Sequence, residues 1–339
     1  MSPQVRSGNT WLSALGSWGD LEIERRLQGG SYEMSWGMTT KRPHRDLVPG
    51  SPVSAWLGPR SLWTGYMLEV DWVAGEFVAA GLCRQGELAP CLTGAGVTTS
   101  TPNTAVDNAI AKGWLDWSRT ASISGTALTE GDTTASMNSI EELLEAYVDE
   151  DGKRWYVNPR GLVSAESIST ATMPQSGFWD VLLDGDRIGT SAEKLAGTVV
   201  ARYLDSAAGG ARKTVIVPAT GGDLPVEKVD LTVRGPISTA KATSISQAIL
   251  DKAAAQVGLL GVFELTRNQI LSRPSLGMVT EGHRLRIRGQ HDPSGISASP
   301  VCTVDIATWN VAEDKLTVTP LGAPQRDLES IIETAGVAA

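Results

Sequence analysis

The sequence predicts an α+β protein that is mainly β, with two small antiparallel β-barrel domains, a small α+β domain between them and a helix inserted in the second barrel. Three observations carry this prediction. Short alternating strands separated by turn residues fill the first third of the 339-residue chain, a helical period replaces them in the middle, and strands return in the last part. A chain of this length also exceeds the usual single domain of about 100–150 residues.

The changes of period set the expected boundaries. We predict an N-terminal β-barrel domain over residues 1–100 and an α+β domain over 101–175. A second β-barrel domain follows over 176–330, with its inserted helix at 238–257, and residues 331–339 form a C-terminal tail. The chain should therefore bury more than one hydrophobic core.

The first domain opens with a predicted hairpin. Apolar and charged residues alternate over 21–27, a glycine turn follows at 28–31, and a second alternating strand includes Met34 and Trp36. Further strands are predicted at the positions 53–57, 63–72 and 77–82. Five short strands with frequent turns are typical of a small barrel or sandwich.

Two helices mark the middle domain. Thr101 and Pro102 suit a helix start, and Gly113 suits its end. Ser139 and Glu142 match a capping box at the start of a second, strongly amphipathic helix. A hairpin is expected after it, with strands at 154–157 and 162–165 and a turn between them.

The last part alternates strands with one helix. Strands are predicted at 199–203, 214–217, 229–233, 261–265, 283–288, 301–306 and 315–319. The helix over 238–257 carries a predicted buried stripe of Ala242, Ile245, Ile249 and Ala253. Together these elements predict the second β domain.

A weak internal repeat connects the two β domains. In residues 49–72 and again in 281–309, a turn glycine precedes a strand, a variable turn follows, and the next strand ends near a tryptophan. Chance similarity between two β meanders is the alternative. If the repeat is real, three copies of the chain present six similar faces.

Composition excludes several functions. The net charge of −9 disfavours duplex DNA binding, which requires a clustered basic surface. No apolar run reaches the roughly 20 residues that span a bilayer, and the N-terminus lacks a secretory signal, so we expect cytoplasmic synthesis. The three cysteines are too far apart for a disulfide framework or a zinc site, and we expect buried thiols.

No catalytic signature emerges. The three histidines lack a supporting motif, and no nucleophile elbow, zinc helix, phosphate loop or dinucleotide fingerprint occurs. Residues 209–213 read as a β turn and not as a phosphate cradle. Glu141 and Glu142 could in principle serve a glycosidase, but helix capping explains them more simply. We therefore predict no catalytic residue, no cofactor and no metal.

Three arginines form the one candidate site. Arg284, Arg286 and Arg288 alternate with two apolar residues, which places the three guanidinium groups on one side of a predicted strand. A solvated strand face is the simplest explanation. Because like charges in a row repel, they favour an acidic partner, and we expect a neighbouring subunit before DNA.

The order of several sequence stretches resembles minor tail proteins of long-tailed, siphovirus-type phages of actinobacteria, of the baseplate-hub kind related in fold to the hub of contractile tails. These stretches span nearly the whole chain and are LQGGSYEMSW (27–36), PGSPV (49–53) with WTG (63–65), SIEELL (139–144) with KRWYVNPRG (153–161), and PLGAPQRDL (320–328).

The resemblance implies a homotrimeric hub at the virion tail tip, without enzymatic activity. Two barrels per subunit would form a pseudo-sixfold ring beneath the distal tail protein, adapting the sixfold tail tube to the threefold tip. The tape measure protein would end inside or above the ring, other tail-tip or fibre proteins would attach below, and genomic DNA would pass without specific binding. The acidic charge suits such a channel. Related hubs in some phages carry a C-terminal peptidase or lytic extension, which we do not expect here.

Two other functions stay open at this point. A receptor- or carbohydrate-binding tip protein would use the 11 tryptophans and the acidic groups. A cell-wall hydrolase would use Glu141 or Glu142.

Overall fold

A computed structural model describes most of the chain. The described residues are 2–40, 43–91, 99–100, 102–119, 123, 128–129, 139–151, 153–167, 178–183, 197–218, 226–232, 236–255, 262–288 and 301–321.

Strands dominate the first half. Its strands are β1 (Gln4–Ser7), β2 (Thr10–Trp11), β3 (Ser17–Arg26), β4 (Gly29–Thr39), β5 (Pro52–Leu57), β6 (Arg60–Asp71), β7 (Glu76–Gly81), β8 (Thr99–Ser100), β9 (Leu128–Thr129), β10 (Lys153–Val157) and β11 (Val163–Ser167). Its helices are α1 (Leu12–Leu15), α2 (Gln85–Leu88), α3 (Pro102–Ala111) and α4 (Ile140–Asp151).

The second half adds nine strands and one long helix among the described residues. The strands are β12 (Trp179–Leu182), β13 (Thr198–Asp205), β14 (Ala211–Val217), β15 (Val226–Asp230), β16 (Pro236–Ile237), β17 (Phe263–Thr266), β18 (Arg284–Arg288), β19 (Val301–Asn310) and β20 (Lys315–Pro320). The helix is α5 (Thr239–Ala255).

One large sheet joins the two ends of the chain. Its strand order is β12-β18-β19-β3-β4-β7-β6-β5-β1-β2, with β10, β11, β17 and β20 attached beside this path. The link between the halves is the antiparallel pair of β3 and β19. The mainly β, α+β class is thus confirmed. The predicted closure of the strands into two barrels is not confirmed, because no sheet of the described residues closes on itself.

A shared hydrophobic core accompanies the shared sheet. Buried residues from β1 and from β3 through β7 pack in one cluster with buried residues from β12 and β17 through β20. Trp63 in β6 and Leu316 in β20, for example, are fully buried members of this cluster. The two halves therefore bury apolar area against each other, which is the largest favourable contribution to folding. The predicted domain boundaries remain predictions.

The described helices and strands of the middle unit lie close to their predicted positions. The Ser139 amide donates to the Glu142 carboxylate at 2.9 Å, and the Glu142 amide donates to Ser139 Oγ at 3.2 Å, which is the predicted capping box. Leu143 and Leu144 of α4 are buried in a second core that also contains Trp155. Thr101, the predicted cap of α3, lies outside the described residues.

Two parallel pairings were not predicted. β10 runs parallel to β4 beside Gly29 and Gly30, whose φ values of 94° and 86° favour glycine. A β-carbon on Gly30 would come 3.0 Å from the Val157 carbonyl oxygen, so glycine permits this close approach. β12 likewise runs parallel to β18. Such pairings connect distant segments, so no local pattern predicts them.

A smaller sheet carries the long helix. β14, β13 and β15 pair in that order, β16 pairs with β13, and α5 packs against β13 and β14 over a third core. Ala242 and Ile245 are buried there as predicted, and Ile249 packs at the margin, whereas the side chain of Ala253 lies outside the described residues. The prediction grouped these strands with the second barrel, but the structure pairs them with one another. Residues 209 and 210 form part of the predicted turn, but residues 211–213 already belong to β14.

Some of the tryptophans and all three cysteines are buried. Five of the 11 tryptophans are buried, and the three cysteines are buried thiols. Burial raises the pKa of Cys83 and of Cys302 to about 12. Both thiols therefore stay protonated at neutral pH and are unreactive, since the thiolate is the nucleophile.

Candidate subunit interface

The predicted arginine face exists on β18. Leu285 and Ile287 are fully buried, while Arg284, Arg286 and Arg288 are partly exposed on the opposite side. This alternation follows from the two-residue period of a strand. The structure therefore brings the three predicted residues together on one face.

The acidic partner of this face lies within the chain. Asp180 of β12 accepts from Arg286 at 2.6 and 2.9 Å and from Arg288 at 2.8 Å. Arg284 and Arg286 also lie over the Phe178 ring, with centroid distances of 4.6 and 5.1 Å. The parallel register places Asp180 opposite Arg286. The role of the arginine face at a subunit contact stays a prediction.

Sequence reasoning missed Phe178 and Asp180. The only available signal was their spacing of two residues, which puts both on one side of a strand. The pairing of β12 with β18 joins positions about a hundred residues apart, and a single sequence does not reveal such a pairing.

We expect Asp180→Asn to lower the free energy of unfolding by about 1 kcal/mol at neutral pH. Hydrogen bonds from Arg286, with a further contribution from Arg288, lower the pKa of Asp180 to about 2. A depressed carboxyl pKa stabilises the folded chain above the unfolded pKa of 3.8, and this contribution is lost as the pH falls from about 4 towards 2.

Urea unfolding measured at a series of pH values tests this expectation. The Asp180→Asn variant should lose less stability than the parent between pH 4 and pH 2. Asp314→Asn, at an exposed turn position, is the matched control. Identical pH profiles of the parent and Asp180→Asn would contradict the assignment.

The two segments of the predicted internal repeat make matching backbone hydrogen bonds. Gly50 and Gly282 both have positive φ, of 85° and 75°. The Gly50 amide donates to the Met67 carbonyl, as the Gly282 amide donates to that of Val304, both at 2.8 Å. The Met67 amide in turn donates to the Ser51 carbonyl, and the Val304 amide donates to the His283 carbonyl, both at 2.8 Å. Each acceptor is the residue after the turn glycine.

The similarity continues along the strands. A β-bulge follows Met67 where β6 pairs with β7, and another follows Val304 where β19 pairs with β20. Trp72 and Trp309 each come five residues after these positions. β4-β7-β6-β5 and β17-β20-β19-β18 therefore have the same antiparallel strand order, and we call these sets the first and second modules.

The modules differ at one edge. In the second module, β3 pairs with β19 just after its bulge, and the Leu27 amide donates to the carbonyl of the bulged Asp305 at 2.7 Å. The equivalent edge of β6, from Leu68 to Asp71, has no strand partner among the described residues. Leu68 there is 38% exposed. An unpaired strand edge is a template for pairing with another chain.

The two acidic residues at the start of α4 have different surroundings. Glu142 is used by the helix cap. Burial, followed by the charges of Glu87 and Glu145, raises the pKa of Glu141 to about 7. No group of three or more histidine, cysteine, aspartate or glutamate side chains in the described part could hold a metal ion. No helix in that part is long and apolar enough to cross a membrane.

Solved tail proteins share this fold. The 43 kDa tail protein of prophage MuSo2 from Shewanella oneidensis superposes with a TM-score of 0.62 at 12% identity, over 96% of this chain and 99% of that one. A tail protein from Neisseria meningitidis MC58 gives 0.61 at 12% identity, over 94% and 95%. Prophage tail protein gp18 from Listeria monocytogenes EGD-e gives 0.61 at 9% identity, over 99% of each chain.

These likenesses show the fold alone. No protein-family model matches the sequence, and no curated protein matches it. The chain thus has the fold of prophage tail proteins, as the resemblance implied in its broad form. The narrower link to siphoviruses of actinobacteria stays a prediction.

Proposed function

We propose that this chain is a structural component of a phage tail tip and forms a homotrimeric hub around the DNA exit channel. The observation that carries the proposal is the pair of repeated modules, one with a filled strand edge and one with an unfilled edge. Three copies would place six modules in a ring, and the open β6 edge of each copy would accept a strand of its neighbour.

The edge geometry supports strand addition. In the second module, the register pairs Ala307 with Arg25 of β3. Val70 occupies the equivalent position in β6, three residues after Met67, as Ala307 is three residues after Val304. The backbone donor and acceptor of Val70 would therefore face the open edge. Its side chain packs against the main core, so the strand is held in place before assembly.

The other expected properties follow from this role. The proposed ring would sit at the virion tail tip, in contact with the distal tail protein, the tape measure protein and further tip or fibre proteins. It would match a sixfold tube to a threefold tip. The net charge of −9 would let DNA pass without being retained. The proposed role is structural and not catalytic, and the arginine face of β18 would lie at a subunit contact.

Sedimentation equilibrium over a range of protein concentrations tests the proposal. We expect a species of three times the chain mass of 35.8 kDa, and class averages from electron microscopy should show rings with six similar lobes. Val70→Pro should abolish the trimer because proline lacks the edge-facing N–H, whereas Val70→Thr keeps that donor and should assemble normally. A chain that stays monomeric at every concentration, or a trimer that survives Val70→Pro, would overturn the proposed ring.

A further inference from the structure

A polar cleft lies where the first module, the middle unit and the segment before β18 meet. Its volume is about 260 Å³. Its charged and hydroxyl groups come from distant parts of the chain and include Arg25, Arg60, Ser61, Arg154 and Glu281. Charged residues of this kind are almost never fully buried unless they are paired.

Arg25 is a buried residue of the cleft lining. It is 5% exposed, and its terminal nitrogens donate to the carbonyls of Gly277 at 3.3 Å and Val279 at 2.9 Å. Its Nε has no hydrogen-bond partner among the described residues, and Glu281 Oε2 lies 3.7 Å away. Burial, and then the nearby charge of Arg60, lowers the pKa of Arg25, while Glu281 opposes this shift.

The charge of Arg154 is already paired with an acidic side chain of the same chain. It donates to Glu166 Oε1 at 2.6 and 3.0 Å and to the Glu281 carbonyl at 3.1 Å. Glu281 faces Arg25 on the other side. The two buried arginines of the cleft therefore each have one acidic group close by.

Arg60 is the third arginine of the cleft, and its positive charge has no acidic partner among the described residues. It is exposed at the start of β6 and donates to Met278 Sδ at 3.3 Å, and no acidic side chain pairs with it in the described part of the chain. The adjacent Ser61 also lines the cleft, and its buried hydroxyl again has no hydrogen-bond partner among the described residues. A buried hydroxyl left unpaired costs about 1–3 kcal/mol. The cleft thus holds an unpaired cation beside two unpaired donors.

We propose that this cleft binds a carboxylate group between Arg60 and Ser61, next to Arg25. The carboxylate would accept from the Ser61 hydroxyl and from the Arg60 guanidinium, a charge-assisted contact that is stronger than a neutral one. It would also offset the repulsion between Arg60 and Arg25. Since a water molecule takes roughly 30 Å³, the volume of about 260 Å³ also admits the stem of an acidic side chain from another protein.

Isothermal titration calorimetry on the full chain tests this proposal. The probes are a blocked peptide with one central glutamate, the same peptide with glutamine, and sodium glutarate, all at matched ionic strength in sodium chloride. We expect the glutamate peptide to bind and the glutamine peptide to bind at least tenfold more weakly. Glutarate binding tighter than the glutamate peptide would assign the site to a free dicarboxylate, and the reverse order to a protein side chain.

Variants locate the binding to the cleft. Arg60→Gln should weaken binding of the glutamate peptide at least tenfold, and Ser61→Ala should weaken it severalfold. Arg45→Gln removes the same charge from a side chain that is 90% exposed, and should leave binding unchanged. Equal binding of the two peptides, no binding of any carboxylate, or an unaffected Arg60→Gln variant would refute the proposal. Because trimer formation is measured separately, failure here leaves the proposed ring untouched.

Discussion

Arg25→Met is expected to lower the free energy of unfolding by about 3–5 kcal/mol, because removing one member of a buried ion pair leaves the other charge uncompensated. Arg25 lies in β3, the strand that joins the two halves of the main sheet. Its loss would leave Glu281 buried without this cation and would free the carbonyls of Gly277 and Val279. Chemical denaturation of the purified chain measures the change.

A double variant separates charge from packing. If the unpaired carboxylate causes the loss, adding Glu281→Gln to Arg25→Met should recover part of the stability. Arg45→Met is the matched control, since this side chain is 90% exposed, and it should change stability by less than about 0.5 kcal/mol. A similarly small effect of Arg25→Met would show that the buried pair contributes little.

Gly81→Ala is expected to cost about 3 kcal/mol or more, at the upper end of overpacking effects. A β-carbon on Gly81 would overlap the Ser31 carbonyl and lie 3.0 Å from the Tyr32 amide nitrogen. These are backbone atoms of β4, so no side chain can rotate away. The neighbouring strands β4 and β7 would have to separate, and thermal or urea unfolding would record the loss.

Gly19→Ala provides the comparison for this substitution. A β-carbon on Gly19 in β3 would meet nothing within 4 Å, and its φ lies outside the positive range. Alanine there should be neutral or stabilise by up to about 1 kcal/mol through the unfolded state. Similar losses in both variants would indicate that glycine flexibility, and not the Ser31 contact, governs stability at position 81.

The repeat connects the fold to the proposed assembly. Local sequence signals located the two turn glycines and the later tryptophans, but the bulges after Met67 and Val304 appeared only in the strand registers. The difference between the modules is equally tertiary, because β3 fills one edge from a position about 280 residues earlier in the chain. The functional proposal therefore depends on an edge that the sequence did not distinguish.

The sequence by itself determined the local elements and the chemical character of the chain. The Ser139–Glu142 capping box, the glycine turn before β4 and the alternation around Leu285 and Ile287 are each encoded within a few residues, because helix caps, turns and strand faces depend on short-range geometry.

Only the tertiary structure decided which distant elements meet. The parallel pairing of β12 with β18 supplied Asp180 to Arg286, and the β3–β19 pair brought Arg25 to Glu281. The physical reason is that long-range strand pairing depends on the burial of a shared core and on registers between segments a hundred or more residues apart, which no local period encodes.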